Sequence, residues 1–507
     1  MKSQFRTMMT ASPALLVTMA MILLAGIAIV SSSFIDPGGA YLIAIGFLTF
    51  AIVCGSFWVR KSFDVLEPMT LVAITVFIGG TMRSVYIAFL PPSYPSVVFL
   101  IGNMRYIDLA VSEATVPIAM LLFVIGYLAW RKRVPIERFR PFRTDVWPTG
   151  RTFVSVALMM ALGAVSVFIL IKAAGISLVD LATLSQKRQI DMSVVGGDAS
   201  THGGPLRLFV SCLDVGTLIM FAKWACRTDS AGRPKKFGPV RVAIIIVMVL
   251  ACEVWPVLAS SRTDMVQIVF SIMIIHVYLR NRGNLQRFLR LGVIVLGFAL
   301  TVLVVMGIWR NLGTHAQMNT DSPVQNFLDK TVGSGNFFPP ERAGYIFAHF
   351  YQDQFLNGTS YLDWLAAPIP KALWPDRPVI GLGEMVRSVI YQRPVENSGY
   401  PPGMIGEAYM NFGYFGVFTI PLLMGMALKF IYLTFKPLLG VNKNATVLYA
   451  AILWKIGLQL VGQDFSLVML NTIVTVVPLL CFYLIMKKPR REESASPRAV
   501  APALNVA

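Results

Sequence analysis

With 507 residues, 56% of them hydrophobic and only 14% charged, and a mean hydropathy of +0.66, the chain is far more apolar than a soluble protein of this length and reads as a polytopic membrane protein. A net charge of +18 would suit a nucleic-acid binder, but the basic residues fall in short clusters between apolar stretches, which excludes that partner. The five cysteines, Cys54, Cys212, Cys226, Cys252 and Cys481, lie in or at the ends of apolar stretches with no ligand-like spacing, against a disulfide framework or a thiolate metal site.

Windows of about 20 apolar residues predict an all-α protein of roughly twelve transmembrane helices, near 13–32, 40–59, 69–90, 113–130, 152–172, 206–226, 240–260, 265–280, 291–309, 411–433, 446–464 and 466–486. The first follows Lys2 and Arg6, lacks a small-residue cleavage site and runs straight into a second span. It reads as a retained helix and not a removed signal. A cytoplasmic N-terminus puts Arg60/Lys61, Arg131 to Arg133, the 227–241 and 280–290 groups, Lys436, Lys443 and the tail after Lys487 on one side, as the positive-inside rule requires. The basic excess then reports topology and contact with anionic membrane lipids.

Three longer outer loops result: 91–112, 173–205 and 310–410. The organisation is helices one to nine over 1–309, one large extracytoplasmic loop with short helices over 310–410, helices ten to twelve over 411–486, and a disordered cytoplasmic tail over 487–507. No internal repeat and no matching pair of broken helices points to a secondary transporter.

Candidate chemistry lies on the outer side. Arg83, in GGTMRSVY, sits about two turns inside its span, where a charge costs about 2.5–3.5 kcal/mol on insertion scales. It either meets an anion in a polar cavity, or snorkels, or pairs with Glu253 or Asp214. The turn Ser260-Ser261-Arg262-Thr263-Asp264 opens a helix, so that Arg262 and the helix N-terminus form an anion site, or Thr263 or Asp264 forms a cap. In PPERAGYIFAHFYQDQF, Pro340 and Glu341 open a predicted helix that aligns Arg342, His349 and Asp353 within about 20° of one line; the alternative is a solvated polar face. A second predicted helix, GLGEMVRSVIYQRP, carries Glu384, Arg387 and Tyr391. Arg310, His315 and Arg393 are further outward groups, and His202 sits in a Gly-rich loop beside Lys187 and Arg188.

The 361–416 stretch is rich in Pro, Gly and aromatic residues and reads as a folded working surface. Glu407, in GMIGEAYMNFG, stands where the chain re-enters the membrane, as a reactive carboxylate or a helix cap. No GxxxxGK[ST] loop, HExxH or Asp-x-Asp pair accompanies these residues, so no metal and no cofactor is expected. Reaction energy would arrive in the substrate, and activated sugars outside the cytoplasm ride on polyprenyl diphosphate.

Three pieces of sequence, PIPKALWPDRP (368–378), GYPPGMIGEAYMNFGYFG (399–416) and SSRTD (260–264), together with a dozen helices and one large loop before the last spans, resemble the oligosaccharide repeat-unit polymerases, the O-antigen-polymerase group. The resemblance implies an enzyme of bacterial surface polysaccharide biosynthesis in the cytoplasmic (inner) membrane. Such an enzyme moves a growing glycan from undecaprenyl diphosphate onto the acceptor hydroxyl of a lipid-linked repeat unit. It implies a fold related to lipid-dependent glycosyltransferases and O-antigen ligases, no obligatory metal, and a chain-length regulator and a flippase as partners. The Arg-x10-Gly signature that some members repeat has no convincing match, so their two-loop scheme is not implied.

On that mechanism Arg262, with Arg83, Arg310, Arg342 or Arg387, holds the diphosphate through guanidinium forks. His349, Glu407, Asp353 or His315 takes the acceptor proton. Trp364, Trp374, Tyr391, Tyr400 and Tyr409 offer faces to sugar rings, or pack the loop onto the helices. Alternatives are ligase-like glycosyl transfer, and a flippase or transporter in which Arg83, Asp214, Glu253 and Lys455 form a mid-membrane polar path.

Overall fold

The computed structural model describes residues 36–60, 64–143, 146–173, 206–228, 235–258, 261–281, 290–294, 297–298, 301, 328, 332–333, 337–369, 373–392 and 400–486. The predicted first span, most of the ninth, and the tail lie outside them.

Among the described residues the protein is an all-α polytopic membrane protein, with nine helices long and apolar enough, by length and composition, to cross a membrane. Proline opens several elements, at the position where its missing N–H costs nothing. The first is α1 (Pro37–Arg60). The second span bends: α2 (Pro68–Val76) passes through a π-helical stretch, Phe77–Met82, into α3 (Arg83–Phe89). The third is α4 (Tyr106–Glu113) followed by α5 (Val116–Ala129), and then come α6 (Thr149–Ala173), α7 (Leu206–Ala225) and α8 (Pro239–Leu258). The last three spans are α11 (Gly403–Phe435), α12 (Lys443–Trp454) continued by the π-helical Lys455–Gln459 and α13 (Leu460–Gly462), and α14 (Phe465–Ile485). Exposed Val154, Leu158, Val165 and Phe168 on α6, with Ile246, Val247 and Leu250 on α8, make apolar faces of the kind that lipid covers.

The predicted 265–280 span corresponds to α9 (Arg262–His276) and a π-helical turn, Val277–Asn281. It is not among the nine.

The segment expected as an outer loop is partly a plug. Its helix α10 (Pro340–His349) is buried from Pro340 to Phe347. The Phe338 N–H donates to Thr75 Oγ1 at 3.1 Å. A Cβ on Gly79 would lie 2.3 Å from the Phe338 carbonyl oxygen, so the π-helical bend of the second span is where the inserted backbone docks. On its other sides α10 meets α4 and α11. Helix α11 itself begins at Gly403, eight residues before the predicted 411. It is broken at Gly413, whose φ of 60° and ψ of −149° belong to a region open essentially to glycine alone.

At the opposite end of the bundle, a polar network closes the turn before α2. Tyr127 donates to Glu67, Lys429 Nζ lies 3.2 Å from Glu67 Oε1, Tyr432 donates to Asp64 at 2.7 Å and Tyr449 to the Leu66 carbonyl at 2.7 Å.

Candidate functional site

Three buried guanidinium groups gather around the plug. Arg83 has no solvent exposure; its Nη1 is 2.8 Å from Glu341 Oε1, and its Nε donates to the Val332 carbonyl at 2.9 Å. A further bond runs to the Phe338 carbonyl at 3.4 Å. The span residue therefore pairs with the plug, not with Glu253 or Asp214. Arg342, 2% exposed, donates to the Pro401 carbonyl at 2.9 Å and has no ion pair among the described residues. Its guanidinium carbon lies 5.6 Å from the Tyr400 ring centre. Arg387, 4% exposed, approaches the same ring at 5.8 Å, so two cations flank one aromatic group.

An aromatic column leads from these cations to the surface. Tyr391 stands edge-on to Tyr400 at 5.1 Å and donates its hydroxyl to the Leu100 carbonyl at 2.8 Å; burial pushes its phenol pKa well up. Tyr345 stacks on Tyr391 at 4.1 Å, and the exposed His349 stacks on Tyr345, also at 4.1 Å. His349 Nδ1 is 2.9 Å from the Tyr345 carbonyl oxygen. A carbonyl only accepts, so this contact selects the tautomer with hydrogen on Nδ1 and leaves the Nε2 lone pair free.

The predicted alignment of Arg342, His349 and Asp353 holds only in part. Helix α10 ends at His349, because Phe350 turns to extended backbone, and exposed Asp353 belongs to a separate 3-10 turn, Gln352–Gln354. Arg342, Tyr345 and His349 share the helix face instead. A solvated polar face does not describe it, because Arg342 is buried. Glu384, Arg387 and Tyr391 fall on a short helical turn that becomes π-helical, with Glu384 exposed and Arg387 buried.

Glu407 is 1% exposed and accepts from Ser360 Oγ at 2.7 Å and from the Phe465 N–H at 2.7 Å. One oxygen thus satisfies the first amide of α14, and the other ties down the 359–361 turn. Asp464 beside it accepts from the Leu382 N–H at 2.9 Å, and burial pushes its carboxyl up to about 6. Tyr409 packs against Phe347 at 4.8 Å and Tyr414 at 5.2 Å. Tyr391, Tyr400 and Tyr409 are all buried, whereas Trp374 is 41% exposed and Trp364 is half-buried. Arg262 opens α9, but its side chain lies outside the described residues, as do Arg310, His315, Arg393 and His202.

A second polar constellation lies between α7, α8, α9, the Lys455–Gln459 turn and α14. A cavity of about 60 Å³ is lined by Arg207, Asp214, Asp264, Lys455, Asn471 and Thr475, among others. Lys455 Nζ donates to the Asn471 carbonyl at 2.7 Å and to Thr475 Oγ1; Ser261 Oγ donates to Asp264 at 2.7 Å. Among the described residues no contact within 4.0 Å joins either cation to either carboxylate.

The sequence reading overlooked Glu341 as the partner of Arg83, and Arg207 and Asn471 altogether. An isolated charge at the start of an apolar span is the signal that would have singled out Arg207; the sequence carries no such signal for Asn471 or for the pairing of Glu341 with Arg83. No protein-family model matches the chain, and no curated protein and no solved structure is significantly similar to it.

Proposed function

We propose that the protein polymerises lipid-linked oligosaccharide repeat units in bacterial surface polysaccharide biosynthesis, transferring glycan from undecaprenyl diphosphate to an acceptor sugar hydroxyl. The observation that carries this reading is the pair Arg342 and Arg387, both buried and both against the Tyr400 ring. Arg342 in particular is held by a main-chain carbonyl and, among the described residues, by no carboxylate within ion-pair distance. A guanidinium so placed retains its charge for an incoming anion, and a diphosphate leaving group is the anion this chemistry needs.

In the reaction the acceptor oxygen attacks the anomeric carbon, the bond from that carbon to the diphosphate oxygen breaks, and the acceptor proton passes to a base. His349, exposed on the same face of α10 as Arg342 and with its proton on Nδ1 so that Nε2 can accept, is the group we assign to that step. Glu407 holds the Ser360 hydroxyl and Asp464 the Leu382 amide.

The alternative, a transporter, draws on the cavity around Asp214 and Lys455. Arg83, which that path also needs, is instead committed to Glu341.

The test uses purified protein in liposomes with a synthetic polyprenyl-diphosphate repeat unit and a chelator, comparing wild type with Arg342→Gln and Arg387→Gln. A glycan ladder from the wild type that both variants lose, with unfolding temperatures unchanged, is the expected result. Wild-type protein that makes no ladder but carries the lipid-linked sugar across the bilayer would replace this reading with the transporter.

A further inference from the structure

The cavity beneath the Ser261–Asp264 turn is a different place from the arginine–tyrosine site, and its construction is unusual. Ionisable groups inside a membrane bundle are costly and are ordinarily offset by direct pairing. Here two cations and two carboxylates surround a space without touching one another. Arg207 Nη1 and Asn471 Oδ1 are enclosed and take no hydrogen bond among the described residues, and the Asn471 side chain lines the space although only 9% of the residue is exposed.

The groups form two levels. Arg207, near the start of α7, and Asp264, in the first turn of α9, stand at the mouth. Asp214 is seven residues further along α7, about 10 Å deeper. Lys455 lies at a matching depth, seven residues before the end of α13, and opens a π-helical turn, a local irregularity often found at working positions. The Lys455 charge acts on both carboxylates, Asp264 as well as Asp214.

Size and charge restrict the occupant. About 60 Å³ is room for a few water molecules, whose share of liquid volume is roughly 30 Å³ each, and too little for a sugar ring. Two cations beside two carboxylates leave the space formally balanced, so neither a metal ion nor an anion gains a net attraction over water there, and a proton can pass between water and the carboxylates.

We infer that this cavity is a proton-exchange site, in which Asp214 takes up a proton from the aqueous phase through the cavity water and Asp264 at the mouth, and returns it by the same route. The proton moves from water to the Asp264 carboxylate, on to cavity water and then to Asp214, with no other bond made or broken. The titratable groups around Asp214 are Arg207 and Cys212 on its own helix, Cys252 and Glu253 on α8, Asp264 on α9 and Lys455 on the π-helical turn; α14 contributes the uncharged Asn471 and Thr475. This inference is independent of the polymerase reading.

The probe is the proton itself. Full-length protein in lipid is followed by difference infrared spectroscopy of the carboxyl C=O stretch while buffer pH is stepped, in H2O and in D2O. Asp464 contributes one protonated-carboxyl band as pH falls; a further component that grows as pH falls, shifts in D2O and is lost in Asp214→Asn is expected. Lys455→Gln removes the opposing cation and moves the titration to lower proton concentration by about tenfold or more, and Asp264→Asn keeps the band but slows its response to D2O. A wild type with no titrating carboxyl, a band indifferent to Asp214→Asn, or a midpoint unmoved by Lys455→Gln would overturn the inference. The Lys455→Gln midpoint of that component decides it even where Asp214→Asn does not fold.

Discussion

The bond between span and plug makes a quantitative prediction. Arg83 and Glu341 side chains are 1% and 2% exposed, so solvent screening does not reduce their interaction. Arg83→Met leaves the Glu341 carboxylate buried without its cation, and its second oxygen already takes no hydrogen bond among the described residues. Removing one member of a buried pair costs about 3–5 kcal/mol. In Arg83→Met/Glu341→Leu the orphaned charge disappears, while the carbonyls of Val332 and Phe338 lose a donor at about 1 kcal/mol each. The double variant is therefore more stable than Arg83→Met, with a coupling energy of at least about 2 kcal/mol. Denaturant unfolding in bicelles measures the cycle, and limited proteolysis within 337–402 reports release of the plug. Additive single-site effects, or a plug as resistant in Arg83→Met as in wild type, would refute the claim that this pair docks the segment.

Asp464 gives a pH dependence. Burial raises its carboxyl from 3.8 to about 6 in the folded protein, so between those values the folded state binds more protons, and the contribution of Asp464 to stability falls as pH rises and is level above about 6. Asp464→Asn should flatten that slope and be the more stable form at neutral pH; identical pH–stability curves for the two proteins would count against it. Gly413→Ala should cost about 1–3 kcal/mol, since the backbone conformation is closed to alanine and the new Cβ would meet the Phe355 ring at 2.9 Å; an unchanged unfolding midpoint would contradict the break in α11. His349→Ala removes an exposed ring and should change stability by no more than about 0.5 kcal/mol, while lowering polymerisation about 10²–10⁴-fold. An active His349→Ala would leave the proton to another group.

The sequence by itself determined the membrane class, the place and type of the nine described spans, and the concentration of polar and aromatic residues between Pro340 and Gly416. Runs of apolar residues with charges at their ends fix these locally, because the bilayer demands internally bonded helices of a set length. Local pattern also placed Pro340 at a helix start and Glu407 where the chain re-enters the membrane, four residues before the predicted 411, whereas it lies inside the first turns of α11.

What only the tertiary structure decided is where each charge finds its partner. Arg83 and Glu341 lie 258 residues apart, and no periodicity links them. Whether Tyr391, Tyr400 and Tyr409 face sugar or one another depends on how far the plug sinks between α4 and α11. The cavity draws Arg207, Asp264, Lys455 and Asn471 from four separate helical elements. A buried charge is satisfied by whatever the fold brings within a few ångströms, a property of packing that the order of residues along one chain does not express.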